Sequence, residues 1–260
     1  MAGRVNGKRR LVLWVLGAVV VVGALTAVAI VALQPATVAD RPAAESAPQL
    51  PPHAAPAPLP VVVQPAGAGL AARLDAEWLV QASAATGIPQ RALVAYVGAA
   101  SIKAHQMPAC GLGWNTIAGI GLVESDHGRH GGSRVQADGQ VVPPIFGIAL
   151  DGAATAHIPD SDAGAIDGDA EFDRAVGPLQ LIPGTWRNWH VDGNGDGVED
   201  PHNIDDAAVA ATNYLCRASG DMVSGDGWRA GIGAYNRSNS YAMAVADAAN
   251  RYAEVTENLG

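Results

Sequence analysis

Residues 11–33 run for more than twenty positions without one charged side chain. Coiled as a helix at about 1.5 Å per residue they extend roughly 34 Å, enough to cross a hydrocarbon core of about 30 Å. Arg4, Lys8, Arg9 and Arg10 precede the run with no acid among them. Basic residues stay on the cytoplasmic side, so everything after the run is expected outside the plasma membrane. About the first eighth of the chain is thereby removed from any globular core. The reading is a basic cytoplasmic tail (1–10) and a single transmembrane helix (11–33). The alternative is a signal peptide cleaved near Thr37-Val38-Ala39, although such peptides usually carry a shorter apolar core of about 7–15 residues. Either way the remainder is exported.

Residues 34–69 are rich in Pro and Ala, as in Pro48-Gln49-Leu50-Pro51-Pro52 and Pro56-Ala57-Pro58. Proline has no N–H to give to a helix or ladder, so this segment is expected as a stiff extended spacer. Residues 70–260 are the size of one domain. They hold eleven basic against twenty-three acidic side chains, a formal charge of −12. That surface is wrong for nucleic acid, whose phosphates need Lys and Arg. It suits a calcium-binding exported protein, or an enzyme acting on a neutral or mixed-charge substrate. Cys110 and Cys216 are the two cysteines, and outside the membrane a pair is expected as a disulfide rather than as two buried thiols.

The pattern over 70–260 is mainly α. Leu70, Leu74 and Trp78 share one helical face, and Gly87 and Pro89 end that helix. A second helix is expected over 91–105, and a third, capped by Asn115, over 116–124. The third is apolar nearly all round, which marks a buried helix. Residues 126–173 turn to Gly, Asp and Pro, with a small hairpin or irregular lobe over 141–150 and an acidic loop over 160–173. Further helices are expected over 183–190, 206–218, 227–235 and 239–255.

Glu124 ends the most apolar helix of the chain. Burial and the negative end of the helix dipole both disfavour its ionised form, so its carboxyl is expected to stay protonated near neutral pH. Cleavage of a glycosidic bond needs such an acid on the leaving oxygen. The plainer alternative is a partly exposed Glu at a frayed helix end.

Three stretches decide between these. Ile120-Gly121-Leu122-Val123-Glu124-Ser125-Asp126-His127-Gly128 resembles the catalytic-glutamate motif of lytic transglycosylases, the type B group of actinobacteria above all. Arg174-Ala175-Val176-Gly177-Pro178-Leu179-Gln180-Leu181-Ile182-Pro183 resembles the second motif of that family, and Ala234-Tyr235-Asn236 the third. Their order is the family's order. The resemblance implies a lysozyme-like helical fold with an irregular, short-β insertion, acting on peptidoglycan glycan strands. It implies Glu124 as the sole catalytic acid and base, Gln180 as a hydrogen-bonding cleft residue, and Tyr235 and Asn236 lining the cleft. Ser125 would stand beside the acid at the substrate site. Phe172 and Gly184 depart from the pattern, which more typically has Trp and Ser there. Two rival readings remain: a hydrolytic muramidase of the same fold, with Asp126 or Asp173 activating water, and a non-catalytic anchored glycan-binding protein.

Asp192-Gly193-Asn194-Gly195-Asp196-Gly197-Val198 matches the start of a calcium loop, with oxygen ligands at positions one, three and five, glycine at six and the Val198 carbonyl at seven. Asn203 stands at position twelve instead of a bidentate Glu. A loop longer by three residues, closed by Asp206, restores a charged ligand, with Asp200 acting through water. The resembled family includes such lengthened loops, which favours Asp206. The alternative is a metal-free turn with Asp206 as a helix cap. His127 and His130 read as loop residues, and Trp186, Trp189 and Trp228 as core.

Overall fold

The computed structural model describes residues 52–60, 62–63, 73–153 and 155–259. The expected basic tail, the membrane helix over 11–33 and residues 34–51 of the expected spacer lie outside the described residues. Among those described, no helix is long and apolar enough to cross a membrane.

Seven α-helices dominate the described residues, and the mainly α expectation holds. The first, α1, spans Ala76–Thr86. It does not begin at residue 70. Asp75 accepts the Trp78 N–H at 2.8 Å and sets the N-terminus, while Leu74 belongs to the short strand β2 (Arg73–Leu74), paired antiparallel with β1 (Val62–Val63). The local cap overrides the apolar spacing that suggested an earlier start. Gly87 closes α1 in the left-handed region at φ 74°, a conformation glycine adopts without steric cost, and Pro89 precedes α2 (Gln90–Gln106).

The most apolar helix, α3 (Trp114–Ser125), is buried against α7 (Asn239–Thr256) and α2. Gly119 makes the first contact possible, since a Cβ there would come within 2.8 Å of the Val245 carbonyl oxygen. Asn115 is not the cap of this helix. It lies inside the first turn, fully buried, and its side chain reaches out of the helix. Its Oδ1 accepts the Ala57 N–H at 2.9 Å, and its Nδ2 donates to Ala55 O at 2.8 Å and Ala249 O at 3.2 Å. Trp114 Nε1 donates to Pro58 O at 3.2 Å, and Ala54 and Ala57 are buried. Residues 52–60, expected as part of a free spacer, are therefore a strap packed on the helical core, and the packed domain begins before residue 70. Proline's lost donors matter little here because side chains, not a ladder, hold the extended backbone.

α5 (Ile204–Ser219) packs on α2 and is tied to the turn Pro108–Cys110 by the disulfide Cys110–Cys216. Arg91 of α2 forms an ion pair with the buried Asp205 of α5. α4 (Pro183–Trp189) and α6 (Gly225–Tyr235) flank α5. Trp228 is fully buried, donating from Nε1 to the Thr116 hydroxyl at 3.1 Å, and Trp186 is also core. Between α3 and α4 the chain forms the expected irregular lobe, but not as one hairpin over 141–150. β4 (Val141–Val142) pairs with β3 (Arg134–Val135), and β5 (Phe146–Ala149) pairs with β6 (Arg174–Val176). Pro143 and Pro144 break the run between them, having no donors to continue a ladder.

Candidate functional site

Glu124 occupies the last turn of α3, half-buried. Its Oε1 accepts a hydrogen bond from the Tyr241 hydroxyl at 2.7 Å. Burial pushes the carboxyl up from 4.5 to about 7, and the Tyr241 bond opposes the rise without cancelling it. Tyr241 belongs to the first turn of α7, whose N-cap Ser238 directs the helix across the end of α3. Tyr235, the last residue of α6, stacks on Tyr241 with ring centroids 6.4 Å apart and planes 9° apart. Its phenol is held far above the ordinary range by burial and then by the Glu124 charge. The same hydroxyl donates to Leu179 O at 2.6 Å, which fastens the end of α6 to the segment carrying Gln180.

Gln180 adopts φ 48°, an uncommon conformation for a residue with a Cβ. Its Nε2 donates to Gly177 O at 2.9 Å, which leaves Oε1 pointing to β5, where a Cβ on Gly147 would stand 3.0 Å away. Gly177 permits this tight turn because any side chain there would collide with the Pro201 carbonyl. Ser125 has a different place from the one expected. It is buried, its Oγ donates to Pro178 O at 2.6 Å and accepts the Gly128 N–H at 2.8 Å, and so it ties the two motifs together instead of facing a ligand. Asn236 is exposed, and its Oδ1 accepts the Ser238 N–H at 3.0 Å, so that it shapes the turn into α7. Of the expected residues, Glu124, Tyr235 and the Gln180 segment are thus joined through Tyr241 and Leu179. Tyr241 itself was not expected; nothing in its spacing announces a contact 117 residues back along the chain.

Neither rival carboxylate is joined to Glu124 by a hydrogen bond. Asp126 is exposed and paired with Arg129 at 2.6 Å. Asp173 is buried and accepts from Ser161 N at 2.8 Å and Ser161 Oγ at 2.9 Å. Phe172 packs edge-on against His157, with centroids 5.5 Å apart. His130 is an exposed turn residue as expected, whereas His127 is buried in the core.

In the calcium-like loop, Asp192 Oδ1 accepts the N–H groups of Gly195 and Asp196, and Oδ2 that of Gly197. Asn194 and Asp196 bond each other, and Asp196 Oδ1 accepts the N–H of the exposed Val198. Asp206 is fully buried at the start of α5, with Oδ1 accepting from Gly193 N at 2.7 Å and Asn194 N at 3.2 Å, and Oδ2 from Asp200 N at 2.9 Å. Burial raises its carboxyl to about 6 against these three N–H groups, and the Asp192 charge adds to the rise. Asp206 is therefore tied to both ends of the loop through backbone N–H groups. Asn203, the other candidate, accepts the Asp205 N–H and caps α5.

Among the described residues, however, the acidic side chains that converge within 4.8 Å of one another are Asp160, Asp162 and Asp173, a group able to hold a metal ion. Asp160 and Asp162 are half-buried and Asp173 is buried. The sequence left this stretch as an acidic loop, although the Asp-x-Asp spacing at 160 and 162 was visible. Asp173 joins them only because the Asp160 N–H pairs with the Glu171 carbonyl and the Asp173 N–H with the Ile158 carbonyl.

No protein-family model matches the chain, and no curated protein matches it.

Proposed function

We propose that this domain is a lytic transglycosylase, cleaving the bond between N-acetylmuramic acid and N-acetylglucosamine in peptidoglycan with Glu124 as its one acid and base. The observation that carries the reading is the half-buried Glu124 carboxyl, raised to about 7 and held by Tyr241 at the end of the stretch that resembles the catalytic-glutamate motif. A group that titrates near the working pH can both give and take a proton efficiently.

The chemistry uses few groups. Tyr241 donates to Oε1, so the carboxyl carries its own proton on Oε2. That proton passes to the glycosidic oxygen as its bond to the muramyl anomeric carbon breaks. The substrate's acetamido oxygen supports the anomeric carbon. Glu124, now a carboxylate, takes the proton of the muramyl primary hydroxyl, whose oxygen closes on the anomeric carbon. The product ends in a 1,6-anhydro ring, no water is consumed, and Glu124 is again protonated. The fixed Oε1···Tyr241 bond keeps the acid's geometry through both steps. Gln180, whose Oε1 has no partner among the described residues, offers an acceptor to the sugar chain, and Tyr235 forms a wall of the site beside the acid.

The same proposal includes a lysozyme-like helical fold, attachment through residues 11–33 to the outer face of a bacterial plasma membrane, and one structural calcium ion. Asp192, Asn194, Asp196, the Val198 carbonyl and Asp206 would hold that ion. Asp192 and Asp206 are near enough for the Asp192 charge to add to the rise that burial causes at Asp206, and a cation there would relieve both. It would join the loop to α5 and take no part in the chemistry at Glu124.

Mass spectrometry of muropeptides released from purified peptidoglycan by the full chain, beside Glu124→Gln, tests the reading. Anhydro-muramyl products from the parent protein and none from the variant are expected. Products heavier by one water would make it a hydrolytic muramidase. No products from either protein, with calcium present, would leave a glycan-binding scaffold.

A further inference from the structure

The chain reverses direction immediately after Glu124 through three consecutive residues with positive φ: Asp126 at 51°, His127 at 59° and Gly128 at 78°. Only the third is glycine. Two successive L residues in the left-handed region are strained and persist only where the surroundings hold them. The backbone part of that hold is local: the Asp126 N–H bonds Leu122 O at 3.0 Å, and the His127 N–H bonds Gly121 O at 2.8 Å.

The side-chain part is not local. His127 is buried to 1 % exposure between two helices. Its Nδ1 lies 3.2 Å from the Tyr96 hydroxyl of α2, and its Nε2 lies 3.0 Å from the Tyr252 hydroxyl of α7. A neutral imidazole has one N–H and one lone pair, so one tyrosine accepts from it and the other donates to it. Burial, then the Arg129 charge, lowers the imidazole to about 4, so it is neutral in ordinary buffers. Gly121 lets the Tyr96 hydroxyl lie against α3, where any Cβ would collide with it.

We propose that His127 is a positioning residue for Glu124: its ring, bridged between Tyr96 and Tyr252, locks the left-handed turn that ends α3 and so fixes where the carboxyl stands. Glu124 is then bracketed by three ties. Ser125 fastens the turn to Pro178, His127 fastens it to α2 and α7, and Tyr241 fastens the carboxyl itself. Without the ring the two strained residues relax toward right-handed geometry, α3 lengthens, and Glu124 turns toward water and away from Tyr241.

The consequence for catalysis rests on the transglycosylase reading; the consequence for the ionisation of Glu124 does not. The full chain is compared with His127→Phe, which fills the space without ring nitrogens, and with His127→Gly, which removes the side chain and the φ strain together. Tyr252→Phe deletes one hydroxyl only. The Glu124 midpoint is read by infrared difference spectroscopy against Glu124→Gln, without substrate. Muropeptide release supplies kcat and KM.

In His127→Phe and His127→Gly the midpoint is expected to fall from about 7 toward 4.5. kcat is expected to fall about 10- to 100-fold with KM unchanged, the scale of a displaced catalytic group. Tyr252→Phe moves both in the same direction by less, and it decides the question if the His127 variants do not fold. Folded variants with the parent midpoint and kcat would overturn the proposal. So would a His127→Gly variant with full kcat, since strain would then be the only thing the residue contributes. A parent protein without activity would sink the transglycosylase reading, while the midpoints would still judge His127.

Discussion

Replacing Glu124 with Gln should stabilise the folded protein, and only above mildly acidic pH. The carboxyl is raised from 4.5 to about 7, so the folded chain binds this proton more tightly than the unfolded chain does. At about 1.4 kcal/mol per pH unit, the rise corresponds to about 3 kcal/mol of preference for the neutral acid. Below pH 4.5 both states are protonated and that contribution is fully present. It is lost as pH rises through 7, where the folded protein must hold a desolvated carboxylate. Glutamine is neutral throughout and still offers an oxygen to Tyr241. Glu124 keeps some access to water, so about 2–3 kcal/mol is the expected gain of the variant at pH 8. In a domain of this size that is a rise in Tm of about 5–10 °C, shrinking to nothing near pH 4. Calorimetric melts of both proteins at half-unit intervals from pH 4 to 8 measure it, and the other titrating groups cancel in the difference. Parallel curves would refute the reasoning, because they would mean that Glu124 titrates alike in the folded and unfolded chains.

Tyr241→Phe removes the hydrogen bond that holds the Glu124 carboxyl down, so its midpoint should rise above about 7, and the basic limb of the pH–rate profile should move to higher pH while kcat falls. Asn115→Ala leaves the Ala57 N–H and the Ala55 carbonyl without their partner under the strap, and should cost about 2–4 kcal/mol in stability measured by urea unfolding; a loss below about 1 kcal/mol would mean that the strap is not held there. In chelator-treated protein, folding should favour protonated Asp206, so stability should decline as pH rises through about 6. Added calcium should abolish that decline in the parent chain, whereas Asp206→Asn, with no carboxyl there to titrate, should show neither the decline nor the stabilisation by calcium, as read by thermal melts.

Much of the helical framework is written locally. Gly87 ends a helix, Pro89 precedes one, and Ser224 and Ser238 cap α6 and α7; each acts within three or four residues, where a hydrogen bond closes on its own neighbourhood. The all-round apolar α3 could be recognised as buried before anything was known of its neighbours, and Glu124 at its end as a desolvated acid, because burial and helix ends are properties of a short window. The join of Cys110 to Cys216 was the expectation for two cysteines in a chain read as exported. The three stretches singled out in the sequence are joined by Ser125 on the Pro178 carbonyl and Tyr235 on the Leu179 carbonyl.

Tertiary structure alone decided what those windows touch. Asn115 looks like a cap in sequence and is a clamp on a strap about sixty residues earlier, because a residue inside a buried first turn has its cap position filled by Gly113 and its side chain facing another element. Tyr241 reaches Glu124 only because α7 crosses the end of α3. His127 looks like a loop histidine among glycines, yet the left-handed turn carries its ring inward between two tyrosines from distant helices. Asp173 meets Asp160 and Asp162 through pairing of two irregular segments. Periodicity and caps record how a residue sits on its own element; which distant group it meets depends on how the elements pack, and no local spacing encodes that.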